Sequence, residues 1–169
     1  MLADPMDFTL GILSLKSRGN RDILSTIAKQ LTLYLVIYSP IKMAADLSEN
    51  YAKYRAAFQF VKDVPTDCAD TQVLAGETGD YVAFARKNRV RDNWYIGAVG
   101  DEEAWTMTVK LDFLDPGKSY TAQIYRDGDN ADYRTEKRHE IVIETKRVQA
   151  LTLALAPGGG QTIQLVPKK

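Results

Sequence analysis

The chain has 169 residues and balances 22 lysines and arginines against 22 aspartates and glutamates, so its formal net charge at pH 7 is zero. This length is enough for one domain with a buried core, and the neutral balance provides no basic surface for nucleic acid or anionic lipid. The single cysteine, Cys68, excludes an internal disulfide and a zinc cage built from thiolates.

The opening residues, MLADPMDFTL, lack the basic start and unbroken apolar run of a secretory signal, because Asp4 and Asp7 interrupt them. The most apolar segment, LTLYLVIY at 31–38, is shorter than the roughly 20 residues that a membrane-spanning helix needs. We therefore predict no secretory signal in this chain, no membrane span and no nucleic-acid partner.

Two helices are predicted before Pro65. Apolar residues recur at helical spacing over Asn20–Tyr38, whose first residue is the predicted N-cap, and Pro40 stops the helix. Its apolar stripe broadens until it nearly encircles the helix, so this helix needs covering on several sides. The second helix is predicted over Glu49–Val61, with Ser48 as its cap.

Beyond Pro65 the apolar period changes to two residues, which is typical of an antiparallel sandwich or barrel. The predicted strands are 71–75, 81–87, 94–99, 105–111, 119–126, 140–145, 151–155 and 161–165. The predicted fold class is α+β, with N-terminal helices followed by an antiparallel β-sandwich of about eight strands. Helices with such broad apolar faces and no preceding strand suggest a piece of a larger protein.

The segment YRDGDNADYR at 125–134 concentrates carboxylates and amides, which raises the question of calcium. Read as an EF-hand from Asp127, it places Ala131, Asp132 and Arg138 where an oxygen ligand, a glycine and a bidentate glutamate are required. Asp, Asn and Gly are also the residues that a hairpin connection favours. We predict a turn, with a calcium site and a sugar contact as the alternatives.

Neither the histidine nor the glycine run predicts catalysis. His139, the one histidine of the sequence, has no nucleophile pattern around it, so a surface or strand-edge position is favoured. The segment PGGGQ at 157–161 lacks the Lys-Ser or Lys-Thr of a phosphate loop and is interpreted as a turn.

Paired carboxylates for glycoside hydrolysis would have to face each other across a pocket. The candidates are Glu102 with Glu103, which are adjacent in a turn, and Asp4 with Asp7, and nothing in the sequence selects a pair. Two interpretations are open for the aromatic residues of the sandwich, a platform that stacks on sugar rings or membership of the core; these residues are Trp94, Tyr95, Trp105, Tyr120, Tyr125 and Tyr133.

Several long segments that cover nearly the whole chain are distinctive: MLADPMDFT, AKQLTLYLVIYSPIKMAADLSENY, AAFQFVKDVP, GDYVAFARK, NWYIGAVGDEEA, LDFLDPGKSYTAQIYRDGDNADY and LAPGGG. Together they resemble the C-terminal portion of a glycoside hydrolase family 97 α-glucosidase. Relatives tend to read GPMDYTPG where this chain has DPMDFTLG, and Cys68 lies where a tryptophan is common.

The resemblance implies an architecture of an N-terminal β-super-sandwich, a catalytic (β/α)8 barrel and a C-terminal antiparallel sandwich. Residues 1–64 would be the last part of the barrel, and residues 65–169 the C-terminal domain, a module associated with oligomerisation. The broad apolar face of the first helix would then pack on barrel strands that this chain does not contain.

The catalytic and calcium-binding glutamates of the family precede the segment MLADPMDFT, so no catalytic, cofactor-binding or metal residue is assigned here. Asp7 is the nearest to a pocket residue. Calcium, α-glucan oligosaccharides and a periplasmic or cell-surface location are implied for the parent enzyme. Expected partners are the rest of the barrel or a second copy of the chain, and the chain alone is predicted inactive. The alternative is a carbohydrate-binding module that uses the sandwich aromatics.

Overall fold

The computed structural model describes residues 9–17, 19–148 and 150–168; Asp4 and Asp7 lie outside these ranges. The helices are α1 (Ile27–Val36), α2 (Ser48–Lys53), α3 (Arg55–Asp63) and a 3₁₀ helix (Glu136–His139). The strands are β1 (Thr9–Leu10), β2 (Met43–Ala44), β3 (Cys68–Glu77), β4 (Tyr81–Asn88), β5 (Trp94–Gly100), β6 (Trp105–Val109), β7 (Tyr120–Asp127), β8 (Ile141–Val148), β9 (Leu151–Leu155) and β10 (Gly160–Pro167).

The first helix is shorter than predicted. Its N-cap is Thr26, whose hydroxyl oxygen accepts a hydrogen bond from the N–H of Lys29 at 3.1 Å. Asn20, the predicted cap, instead has a φ of 61° and lies in a turn. The predicted start is therefore wrong, because Thr26 offers a cap much closer to the buried stretch.

The second predicted helix is divided at Tyr54, whose φ of −120° and ψ of 50° interrupt the helical backbone between α2 and α3. Ser48 is the first residue of α2 and not its cap; Leu47 occupies the cap position without a side-chain hydrogen bond. The two short helices turn Tyr51 and Phe58 against each other, with ring centroids 4.3 Å apart.

All eight predicted sandwich strands are present as β3 to β10. Six of them form an antiparallel sheet in the order β3-β4-β5-β10-β7-β8, and β6 and β9 form a second, two-stranded antiparallel sheet. The apolar core between the two sheets contains Ile96, Ile124, Leu153, Ile163 and Leu165, each no more than 2% exposed. The interpretation as a mainly antiparallel β-sandwich is confirmed.

Helix α1 packs on the opposite face of the six-stranded sheet. Leu31 and Leu35 are buried in a second core that also contains Phe60, Tyr95 and Tyr125. A Cβ on Gly97 would lie 2.9 Å from the Cβ of Leu35, so the helix and the sheet backbone are in close contact there. The expectation that the broad apolar face of this helix needs strands from outside the chain is wrong, since this sheet covers it.

Strands β1 and β2 form a parallel pair, with Thr9 opposite Met43 and Leu10 opposite Ala44, and α1 lies in the connection between them. Sequence periodicity did not predict either strand, because two residues are too few to show a period. Among the described residues, no helix has the length and apolarity to cross a membrane.

Candidate functional site

The acidic segment after β7 forms the connection from β7 toward β8, and its carboxylates turn to separate partners. Asp129 lies 3.1 Å from Arg126, and Asp132 lies 2.7 Å from Arg134. Asn130 takes a φ of 61°, a left-handed conformation that asparagine tolerates in turns. The turn prediction is confirmed. Across the residues that the structure describes, no three His, Cys, Asp or Glu side chains are grouped to hold a metal ion.

Asp127 differs from the other carboxylates because it is buried, with 4% of its surface exposed. Its Oδ2 accepts a hydrogen bond from the N–H of Gly160 at 3.0 Å. Burial raises the pKa of Asp127 to about 6, while the Thr26 hydroxyl, the N–H groups of Gly160 and Ala156, and the Lys29 charge act in the opposite direction. Asp127 thus joins the end of β7 to the start of β10 beneath the first turn of α1.

The glycines of the PGGG segment allow this close packing. A Cβ on Gly159 would lie 2.1 Å from Oδ2 of Asp127, and one on Gly158 would lie 2.5 Å from the ring of Tyr133. Gly158 also has a φ of 65°. A Cβ on Gly160 would approach Cα of Lys29 to 2.8 Å. The interpretation of this segment as a turn is confirmed, and the glycines are required by contacts with a carboxylate, a ring and a helix.

A lysine and an arginine connect the helical segment to the sandwich. Lys29 on α1 donates from Nζ to the carbonyl oxygen of Gly100 at 2.7 Å, and burial lowers its pKa. Arg138 is 5% exposed and lies 2.7 Å from Asp22, which also binds Lys16 at 2.6 Å. These polar contacts supplement the apolar packing of α1 on the sheet.

His139 is half-buried beside Arg138, and its Nε2 lies 3.9 Å from Glu136. Burial, followed by the charge of Arg138, lowers the pKa of this histidine. The favoured surface or strand-edge position is confirmed, since His139 ends the 3₁₀ helix just before β8. It borders an open cleft of about 810 Å³ whose other lining residues include Ser14, Lys16 and Asp46.

The six sequence-predicted aromatic residues do not form one sugar-stacking platform. Trp94, Tyr95, Tyr120 and Tyr125 are at most 3% exposed and belong to the two cores. Trp105 is partly exposed; its indole N–H donates to Asp101 at 2.8 Å. Tyr133 is partly exposed and packs on the glycine turn. The core interpretation is correct for four of the six.

The adjacent carboxylates Glu102 and Glu103 are both exposed in the turn between β5 and β6. The N–H of Glu103 donates to Oδ1 of Asp101 at 3.0 Å, which fixes the turn. Neither side chain lines a described cleft together with a second carboxylate that could serve as its partner. Glu102 and Glu103 are therefore not arranged as an acid and base pair facing each other across a described cleft.

A cationic cluster that sequence reasoning missed lies where α1 and α3 end. The buried Arg86 donates to the carbonyl oxygen of Val36 at 3.4 Å, and Lys42 donates to that of Pro65. Cations at these positions compensate the negative ends of helix dipoles. Burial lowers the pKa of Lys42 to about 8 and raises that of the nearby Cys68 thiol. Hydropathy gave no signal, because these residues come from distant segments.

The two edge strands of the six-stranded sheet, β3 and β8, differ in the regularity of their pairing. Strand β3 shifts register against β4 between Cys68 and Asp70 and again between Val73 and Ala75. Strand β8 pairs with β7 in one unbroken register over all of its eight residues. Beside β3, an apolar cleft of about 540 Å³ is lined by residues that include Val73 and Phe84.

Comparison with known proteins identifies the sandwich. Residues 67–166 match the family model described as glycosyl-hydrolase 97 C-terminal, oligomerisation. The chain is 34% identical to a retaining alpha-galactosidase of Bacteroides thetaiotaomicron, over 97% of this chain and 25% of that protein.

Solved structures agree with this match. A glycoside hydrolase family 97 enzyme from Pseudoalteromonas sp. strain K8 in complex with acarbose is 46% identical, with a TM-score of 0.92, over 100% of this chain and 27% of that one. A variant of that enzyme in complex with panose gives the same identity, TM-score and coverage.

The chain therefore spans about a quarter of the length of these relatives. The family model covers more than half of the chain, and its range contains nearly all of the strands β3 to β10. The predicted resemblance to the C-terminal portion of such enzymes is confirmed. The chain belongs to glycoside hydrolase family 97 and contains the C-terminal oligomerisation domain of that family.

Proposed function

We propose that this chain is the end of a larger α-glycosidase, in which residues 1–64 complete the catalytic (β/α)8 barrel and residues 65–169 form a supporting module. That module holds the last barrel helix in place and associates with a second copy of itself. The observation that carries the proposal is the parallel pair β1 and β2, joined through α1, which packs directly on a sandwich of the oligomerisation type.

A strand, a helix and a second parallel strand make up the repeating unit of a (β/α)8 barrel. Two parallel strands of two residues each are not a stable sheet alone. Both residues of β2 are exposed, and Ile41, Met43 and Leu47 around it are 70%, 42% and 69% exposed. Further parallel strands beside β2 would cover this apolar surface.

The catalytic groups of the parent enzyme are proposed to lie outside this chain. The proposal is supported by the share of its relatives that the chain spans, about a quarter, and by Glu102 and Glu103, which line none of the described clefts. The calcium-dependent chemistry that the family resemblance implies would be supplied by those outside residues. The chain alone then hydrolyses neither an aryl α-glucoside nor an aryl α-galactoside, and turnover that survives repurification and follows the chain would disprove this.

For the parent enzyme we favour α-glucosidic substrates over α-galactosidic ones. The Pseudoalteromonas relative, which is in complex with acarbose and panose, is 46% identical to this chain, while the alpha-galactosidase is 34% identical. We further propose that the parent acts in the periplasm or at the cell surface, where α-glucan oligosaccharides are available.

Sedimentation velocity on the 169-residue chain tests the self-association. We expect the weight-average mass to rise with concentration over about a hundredfold range, because a specific association follows mass action. A mass that stays at the 18.9 kDa of one chain throughout would disprove it.

A further inference from the structure

We propose that the second copy binds along β8, with the two β8 strands antiparallel and each Thr145 opposite its counterpart. This inference rests on the self-association proposed above and identifies its surface. The six-stranded sheets of the two copies would then form one continuous sheet related by a two-fold axis.

The first argument is that β8 is the regular edge of the sheet. It ends the strand order, and along its eight residues it keeps one register with β7, so its outer backbone groups form an even row. The opposite edge, β3, carries two register shifts, and such bulges are a common way of blocking strand addition. Strands β6 and β9 are only five residues long.

The second argument is the pattern of side chains on one face of β8. Val142, Glu144, Lys146 and Val148 share a face, because side chains alternate along a strand. With Thr145 at the centre, each Glu144 lies opposite Lys146 of the other copy, and each Val142 lies opposite Val148. The strand is therefore complementary to itself in both charge and hydrophobicity.

The same charges exclude the neighbouring registers. A pairing centred on Glu144 would place two glutamates opposite each other, and one centred on Lys146 would place two lysines opposite each other. Like charges directly across a strand pair are unfavourable. The register with Thr145 at the centre avoids both, so the charge pattern specifies the alignment as well as permitting the contact.

The outer edge of β8 leaves Thr145, Lys146 and Arg147 exposed. Glu144 lies 2.9 Å from Arg126 on the neighbouring strand and 3.6 Å from Lys146 of its own strand, so the pairing with the second copy would add to these contacts. On the other face, the aliphatic stem of Arg147 would cover Ile143 of the second copy. No described residue of the chain hydrogen-bonds as a strand to the outer edge of β8.

Charge reversal tests the pairing. Glu144→Lys alone and Lys146→Glu alone each place like charges opposite each other in both halves of the interface. We expect each to weaken self-association by about tenfold or more in sedimentation velocity. Mixing the two variants restores opposite charges, so we expect a heterodimer whose affinity approaches that of the original chain. The double variant Glu144→Lys/Lys146→Glu should also associate like the original.

Matched controls change the same charges elsewhere. Asp70→Lys on the β3 edge and Lys110→Glu after β6 alter exposed residues and should leave association unchanged. If Glu144→Lys disturbs folding through its contact with Arg126, as circular dichroism would show, Lys146→Glu and Thr145→Pro still test the edge. Association of the original chain that is unaffected by these variants would overturn the β8 interface alone. A strictly monomeric original chain would overturn the proposed self-association as well.

Discussion

Arg138 and Asp22 are separated by 116 positions, yet the guanidinium Nη2 of Arg138 lies 2.7 Å from Oδ1 of Asp22. The contact joins the connection before β8 to the segment before α1. The two side chains of this ion pair differ in burial. The Arg138 side chain is 5% exposed and the Asp22 side chain 48%, so the cation is desolvated while the carboxylate remains in contact with water. Its guanidinium also donates to the carbonyl oxygen of Tyr133 at 3.4 Å.

Arg138→Ala removes a buried side chain together with its polar contacts, which include those to Asp22 and to the carbonyl oxygen of Tyr133. We expect the free energy of unfolding to fall by about 1–3 kcal/mol, because packing and hydrogen bonding of a buried arginine are both lost. Urea unfolding measures the change. Asp22→Asn is the matched control and should have the smaller effect, since its solvated carboxylate contributes little. A larger loss in Asp22→Asn would contradict this ordering.

Gly159→Ala tests the close packing around Asp127. The added Cβ would lie 2.1 Å from Oδ2 of Asp127, which the buried carboxylate cannot avoid without losing its bond to Gly160. We expect a loss of about 2 kcal/mol or more in the free energy of unfolding. Gly76→Ala, whose nearest neighbour would be 3.6 Å away, should be close to neutral. Equal effects of the two substitutions in urea unfolding would refute the steric argument.

The pKa of Asp127 predicts a pH dependence of stability. Burial raises it to about 6 in the folded chain from an ordinary 3.8, so the folded state binds this proton more tightly. Its contribution therefore favours folding below pH 4 and is lost as the pH rises through 6, by about 2–3 kcal/mol in total.

Comparison with Asp127→Asn isolates this contribution. Asp22, Asp101 and Asp132 have lowered pKa values and act in the opposite direction in both proteins. The gain in stability of Asp127→Asn relative to the original chain should therefore be larger at pH 7.5 than at pH 4.5. A difference that does not change with pH would show that Asp127 titrates normally.

Leu35→Ala tests whether α1 and the sandwich unfold as one unit. Leu35 is buried against Gly97, so its truncation should cost about 2–5 kcal/mol. Leu24→Ala changes the same side chain at a position that is 67% exposed and should stay within about 0.5 kcal/mol. Far-ultraviolet circular dichroism and tryptophan fluorescence should give coincident transitions for both variants. Separate transitions would mean that the helices unfold independently.

Sequence patterns predicted the sandwich well, because strands that are buried on one face keep a period of two. The helix boundaries were less accurate. Thr26 was passed over as a cap, and the interruption at Tyr54 has no local signal such as proline or glycine. The coverage of α1 by the sandwich sheet depends on Gly97, whose role is apparent only once Leu35 lies above it.

The polar contacts between the helical segment and the sandwich could not be predicted from the sequence either. Asp127 belongs to a segment rich in aspartate, and nothing local separates it from its exposed neighbours. Its burial depends on Gly160 and Lys29, which come from opposite ends of the chain. The self-complementary pattern of β8, by contrast, can be read from the sequence once that strand is known to be an edge.

The contacts at Gly97 and Gly160 also bear on how far α1 can move relative to the sheet. Because there is no space for even a methyl group between helix and sheet at these two points, we expect the packing to resist sliding of α1 over the strands beneath it. We therefore expect the parallel strands that α1 connects to move together with the sandwich. A neighbouring molecule attached at the sheet edge would be held at a constant distance and angle from those strands, without a hinge between them.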